Sequence, residues 1–205
     1  MTQDSLVLYT NPRSRGRIAR WMLEEVGVPY RTEVVQFGQA MKSAEYLSIN
    51  SMGKVPAIVH NGAVVTEVAA ICAYLADAFP EAHLAPPVSE RADYYRWLFF
   101  VAGPLEAALT NKALKVDVPP DRQGMVGYGN YDLVVDTLAK AVSKRPFIAG
   151  DRFSAADVYV GSHISWGMQF GTLPKNPDLV NYWEKLGERE AYKRGNELDN
   201  QLPVE

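Results

Sequence analysis

"GKVPAIVHNGAVVTE", residues 53–67, is the stretch on which the fold turns. Ala57 to Val59 and Val64 to Val65 are short apolar runs flanking His60-Asn61-Gly62, and Asn-Gly is the strongest short signal for a hairpin. The first run is entered through Val55-Pro56. Proline has no N–H for a sheet ladder and sits at a strand's first position or on an edge, so the pair marks a strand entry. Glu67 closes the hairpin just ahead of Val68 to Phe79, a run so apolar that it predicts a buried helix. A carboxylate at that start complements four N–H groups that lack helical partners.

Working outward toward the N-terminus, Leu6 to Tyr9 reads as a short strand and Asn11-Pro12 as a turn. From Arg15 to Val26, apolar residues at 19, 22, 23 and 26 share one helical face, and Gly27 stops the helix. Tyr30 to Val35 predicts a second strand, and Ala44 to Leu47 a short helix. Toward the C-terminus, Pro80, Pro86 and Pro87 mark a linker, and everything beyond it reads as helical. Positions 94, 97, 98 and 101 share a face, as do 134, 137, 138 and 141; no strand pair is evident beyond residue 90. The expectation is an α/β domain of order βαβ-α-ββα over 1–80, a linker over 81–88 and an all-α domain over 89–205.

Composition narrows the function. The 205 residues are 47% apolar and 22% charged, which is globular. A net charge of −3 with interspersed signs gives no stripe for nucleic acid. No apolar run is long enough to cross a bilayer. No signal-peptide pattern opens the sequence, and the single cysteine, Cys72, fits a reducing compartment, so a cytoplasmic protein without membrane or nucleic-acid partners is expected. No His/Cys/Asp cluster has metal-ligand spacing, so no metal and no resident cofactor are expected.

Three motifs together carry a resemblance that spans the chain. Asn50-Ser51-Met52-Gly53-Lys54-Val55-Pro56-Ala57-Ile58 is similar to "NPxGKVPAL", Glu67-Val68-Ala69-Ala70-Ile71 to "ESxAI", and residues 150–160, "GDRFSAADVYV", to "G-x-x-x-S/T-x-A-D". The chain thereby resembles the cytosolic glutathione S-transferases, of the bacterial type related to the theta, phi and tau groups. The resemblance implies a thioredoxin-like N-terminal domain with a helical C-terminal domain, glutathione as co-substrate, and conjugation of its thiolate to small apolar electrophiles. It also implies a cis Val55-Pro56 bond that presents the Val55 backbone to the cysteinyl residue of glutathione, like an added rung of sheet. Lys54 and Pro56 belong to the same binding motif. Glu67 would bind the γ-glutamyl amino group and the N–H of Val68 its carboxylate; a serine usual at 68 is replaced, at the loss of one hydrogen bond, about 1 kcal/mol. Lys42 would be the point-charge partner of the glycyl carboxylate, with Met41 where a histidine is common. Ser51 replaces the usual proline of the first motif.

A free thiol titrates near about 8.5 and reacts as thiolate, so transfer at neutral pH needs a donor, a positive charge or a helix N-terminus beside it. "TNPRSRGRIARWMLEEVG", residues 10–27, offers all three. By resemblance Ser14 takes the activating position and Arg15 assists; Arg15, Asn11 and Tyr9 are the other candidate donors, and serine is equally an ordinary helix cap. Ser154 and Asp157 are spaced as a capping box, a folding feature. Tyr94, Tyr95, Trp97, Phe99 and Phe100 form an aromatic cluster of core and interface type, and some of it, with Trp166 and Phe170, is a candidate lining for an electrophile pocket. His163 reads as a hydrogen-bonded core residue. A homodimer is expected, the first domain of one chain against the helical domain of the other. The rival readings are a catalytically idle binding or regulatory protein on the same fold, and a glutathione-dependent isomerase or dehalogenase.

Overall fold

The computed structural model describes residues 5–203. The first unit holds a four-stranded mixed sheet ordered β2-β1-β3-β4. Strand β1 (Leu6–Thr10) pairs in parallel with β2 (Arg31–Val34), and antiparallel with β3 (Ala57–His60), which pairs with β4 (Ala63–Thr66). Asn61 and Gly62, both at positive φ, make the two-residue turn that the Asn-Gly pair demands. Helix α1 (Gly16–Val26) buries Ile18, Ala19, Met22 and Leu23, and Gly27 at φ 75° returns its N–H to the Leu23 carbonyl. Helix α2 (Ala44–Ile49) starts at Ser43, whose hydroxyl accepts from the Tyr46 N–H. The expected thioredoxin-like order is therefore present, with β1 and β2 each about a residue from their expected ends.

Helix α3 (Val68–Ala78) departs from expectation in one respect. It buries a stripe made by Val68, Ile71, Cys72, Leu75 and Ala76, whereas Ala70 and Asp77 are exposed. The alanines raise the apolar count of the segment but have little surface to hide, so one face is enough. Burial pushes the Cys72 thiol up, which keeps it protonated and inert at neutral pH.

The second unit, Ala85–Gly187, contains no ladder among its described residues beyond one isolated bridge, Phe147 to Gly150. Its helices are α4 (Ala92–Phe100), α5 (Glu106–Leu114), α6 (Tyr131–Ser143), α7 (Ala155–Gln169) and α8 (Pro177–Gly187). Between α4 and α5 the chain widens into a π turn, Val101–Leu105, where Pro104 has no N–H to continue the α ladder. Tyr94, Trp97, Leu98 and Val101 are all buried, as the spacing predicts, while Tyr95 and Phe99 are exposed. His163 is buried and its Nδ1 lies 2.9 Å from the Tyr159 carbonyl oxygen. The capping box at Ser154 forms, with Asp157 fully buried.

The expected boundary of a helical domain over 89–205 needs correction. The chain divides at Leu84/Ala85, and the described segment 188–203 belongs with the first unit. The reason is α9 (Glu190–Asn200), which packs along α1 through polar contacts. Arg20 and Asp199 form a buried ion pair at 2.6 Å, Arg189 grips Glu25 with two bonds of 2.6 and 2.7 Å, and Arg194 meets Glu24. Trp21 stands edge-on to Tyr192 with ring centroids 5.0 Å apart.

Candidate functional site

Four segments of the first unit converge on one cleft of about 730 Å³. They are the turn Arg13–Arg15 after β1, Phe37–Gln39 after β2, Met41–Lys42, and Gly53–Val55 at the entry to β3. Ser14, Arg15, Lys42, Lys54 and Val55 thus come together in one place. Arg13, Arg15, Lys42 and Lys54 line the cleft, and among the described residues no acidic side chain does. The site is suited to an anionic ligand.

The wall carrying Val55 is fixed by side chains. The Lys54 carbonyl accepts from the Tyr46 hydroxyl at 2.6 Å and from Asn50 Nδ2 at 2.8 Å. Burial pushes the Tyr46 phenol up to about 12, so it stays a donor at neutral pH. Asn50 Oδ1 accepts from the Met52 N–H, and its carbonyl from the Gly53 N–H. Lys42 Nζ donates to the carbonyls of Met52 (2.9 Å) and Gly53 (3.2 Å). Gly53 itself is required, since it sits at φ 57° and a Cβ there would lie 2.5 Å from the Met41 carbonyl oxygen. Met41 is buried beside Val35 and Tyr46, with Tyr9 packed against that cluster, which is a core position for Tyr9.

The Val55-Pro56 bond is cis. Among the described residues neither the N–H nor the carbonyl of Val55 has a hydrogen-bond partner. Pro56, Glu67 and Val68 do not line the cleft. They are adjacent to it through the hairpin: Ala57 pairs with Thr66, so Pro56 and Glu67 are the next residues outward on the two strands. Glu67 is exposed, holds φ 63° and ψ 116°, and its side chain makes no cap bond to α3. That backbone state costs about 1–3 kcal/mol for a residue with a Cβ. Val68 is buried at 8% exposure, so its side chain belongs to the core and only its backbone is available.

The turn before α1 is more tightly bonded than its sequence reveals. Asn11 is fully buried; its Nδ2 donates to the Val35 carbonyl at 3.1 Å and its Oδ1 accepts from the Arg13 N–H at 3.0 Å. Asn11 is therefore a structural anchor. Ser14 is half-buried, and its hydroxyl donates to the Asn11 carbonyl at 2.7 Å while accepting from the Gly16 N–H at 2.9 Å. Its one proton already has an acceptor. Gly16 is needed here as well, for a Cβ would stand 1.8 Å from Thr10 Oγ1 in a fully buried place. Arg13 lies over the Phe37 ring at 5.7 Å.

Sequence reading missed Arg13, Phe37, Gly38 and Gln39, which belong to irregular segments without periodicity. Asn50 had a signal, an asparagine opening a glycine-containing loop and bonding its own backbone two residues on. Among the described residues no group of three or more His, Cys, Asp or Glu could hold a metal, and no helix is long and apolar enough to cross a membrane.

Residues 14–78 match the family described as "Glutathione S-transferase, N-terminal domain". The Glutathione S-transferase-like protein gedE of Aspergillus terreus is 31% identical over 198 residues, covering 84% of this chain and 86% of that protein. Glutathione S-transferase GstA of Escherichia coli O157:H7 is 30% identical over 125 residues, covering 60% of this chain and 61% of that protein. Among solved structures, a glutathione transferase family member from Pseudomonas fluorescens pf-5, with two glutathione bound, superposes with a TM-score of 0.76 at 26% identity, covering 94% of this chain and 92% of that one. By its fold, by the motifs that frame the cleft and by its relationship to gedE, this chain belongs to the glutathione S-transferase family.

Proposed function

We propose that the protein binds glutathione in the cleft and adds its thiolate to small apolar electrophiles. The observation that carries the reading is the convergence of Ser14 and Arg15 with Lys42, Lys54 and the unpartnered backbone of Val55 on one cation-lined cleft. In this reading Val55 pairs with the cysteinyl backbone, Glu67 takes the γ-glutamyl ammonium, and the N–H of Val68 its carboxylate. Lys42 and Lys54 attract the glycyl carboxylate; two of the three Lys42 ammonium hydrogens are already spent on Met52 and Gly53, so its contribution is mainly charge. The thiol gives its proton to solvent, the thiolate lone pair forms the C–S bond, and the electrophile's leaving group departs with its bonding electrons. Retention on immobilised glutathione together with turnover of a chlorodinitrobenzene-type substrate is the expected result. Absence of retention at physiological glutathione sinks the reading.

A second reading, a glutathione-binding scaffold without turnover, is favoured by the Ser14 hydroxyl being committed to Asn11. Retention without turnover supports it. Turnover that returns free glutathione with a rearranged or dehalogenated product identifies the isomerase or dehalogenase instead. We also expect a homodimer, motivated by the relationship to the glutathione S-transferases. Sedimentation at micromolar concentration should give twice 22.8 kDa; a monomer mass counts against it.

Ser14 has a measurable role under the conjugating reading. To serve the thiolate, its hydroxyl must leave a neutral carbonyl, a bond worth about 1 kcal/mol, for a charged acceptor worth about 1.5–3 kcal/mol. The exchange is favourable by roughly one pKa unit of thiol. Ser14→Ala should therefore raise the bound thiol's pKa by about one unit and lower turnover at neutral pH about tenfold. The sign is fixed: losing the donor disfavours thiolate, so the deficit grows as pH falls and closes above the raised pKa. An unmoved pH–rate profile with only a small loss of stability would leave Ser14 as a turn-forming residue.

A further inference from the structure

Arg17 lies behind the turn that carries Ser14 and Arg15, and does not line the cleft. Its Nε donates to the Pro12 carbonyl at 2.6 Å, inside the same turn. The other two arms of the guanidinium reach α9: Nη1 donates to Asn196 Oδ1 at 3.1 Å and Nη2 to Asn200 Oδ1 at 2.7 Å. Asn196 and Asn200 are four residues apart, on one face of the helix. All three acceptors are neutral oxygens. Among the described residues no carboxylate contacts Arg17 directly; the nearest influence is Asp199, which pairs with Arg20 and feels the Arg17 charge through space. Its neighbour on the same helix, Arg20, by contrast touches Asp199 directly, at 2.6 Å.

From this arrangement we infer that Arg17 is a positioning residue of the thiol site, and that α9, through Asn196 and Asn200, helps to position it rather than merely covering α1. The inference rests on the reading of the cleft as a glutathione site. Arg17 does two things there. It holds the Pro12 carbonyl, which fixes the direction in which Ser14 and Arg15 face the cleft. It also carries a positive charge behind that turn, and amides at 196 and 200 hold the guanidinium without adding to Asp199 a second carboxylate, in direct contact, that would weaken its field further.

Two variants separate position and charge from bulk stability. Asn196→Ala/Asn200→Ala frees the guanidinium, and should raise the pKa of bound glutathione, read from the ultraviolet absorbance of its thiolate, by about one unit. Turnover near neutral pH should fall about tenfold and recover at high pH, while the glutathione dissociation constant by calorimetry stays within about twofold. Asn200→Asp is nearly isosteric and gives Arg17 an ionic partner, so its Tm should hold or rise while the thiol pKa still rises. An unchanged thiol pKa in variants that bind glutathione normally overturns the inference and leaves the proposed function standing. If the unsubstituted protein fails to bind glutathione, the reading of the cleft falls first and the inference with it.

Discussion

Asp157→Ala is expected to lower the Tm by about 6–12 °C, corresponding to at least about 3 kcal/mol in a chain of this size. The carboxylate is fully buried and accepts four hydrogen bonds. Oδ1 takes the Ile148 N–H at 2.8 Å and the Tyr182 hydroxyl at 2.6 Å; Oδ2 takes the Ser154 N–H at 2.8 Å and hydroxyl at 2.9 Å. One side chain thus joins the N-terminus of α7, the loop before it and α8. Alanine orphans all four donors at once, each costing about 1–3 kcal/mol when buried, less whatever relaxation and entering water recover. Tyr182→Phe removes a single donor while leaving Asp157 three, so it should cost about 1 kcal/mol. Scanning calorimetry of both variants decides the matter: a loss at Asp157→Ala no larger than at Tyr182→Phe would mean that the box caps a helix and does not organise the unit.

What could be read from the sequence follows the range of the forces involved. The hairpin was legible because its turn chemistry is local: Asn61 and Gly62 must both accept positive φ, and the alternation of the flanking residues then sets the register. The stop at Gly27 and the box at Ser154 and Asp157 were legible for the same reason. At the cleft, Ser14, Arg15, Lys42, Lys54 and Val55 were accessible through motif resemblance, and nothing in composition or periodicity brings them together. The Ser14 hydroxyl is bonded to a backbone carbonyl three residues earlier, a fact of turn geometry that residue identity does not encode. Phe37 to Gln39 follow no period at all. The helix α9 was visible as helix but not as a partner of α1. Its buried residues are only Gly195 and Asp199, so it has no apolar stripe to declare a docking face, and its partners lie far away in the sequence.

That polar docking of α9 leads to the other large effect, at Asp199. Asp199→Ala should cost about 3–5 kcal/mol, because it leaves the Arg20 guanidinium charged, 2% exposed and without its carboxylate. The remaining partners of Arg20, the Tyr30 hydroxyl at 3.0 Å and Thr32 Oγ1 at 3.2 Å, are neutral and cannot replace it. Nor do the other ion pairs of α9 compensate, since those of Arg189 with Glu25 and of Arg194 with Glu24 are at least partly exposed on the arginine side and do not reach the Arg20 guanidinium. The loss should therefore appear first as rapid amide hydrogen exchange along α9 and then as a lowered Tm. A control distinguishes an essential pair from a costly one. Breaking the pair is expensive because of the charge left behind, whereas Arg20→Met/Asp199→Leu removes both charges and keeps the volume filled, and should recover most of the stability. If the double variant is no more stable than Asp199→Ala, the pair is net stabilising, through the bonds Arg20 makes to Tyr30 and Thr32. If Asp199→Ala costs less than about 1 kcal/mol, water has reached the guanidinium, and α9 is held by its rim contacts and by Trp21 against Tyr192 instead.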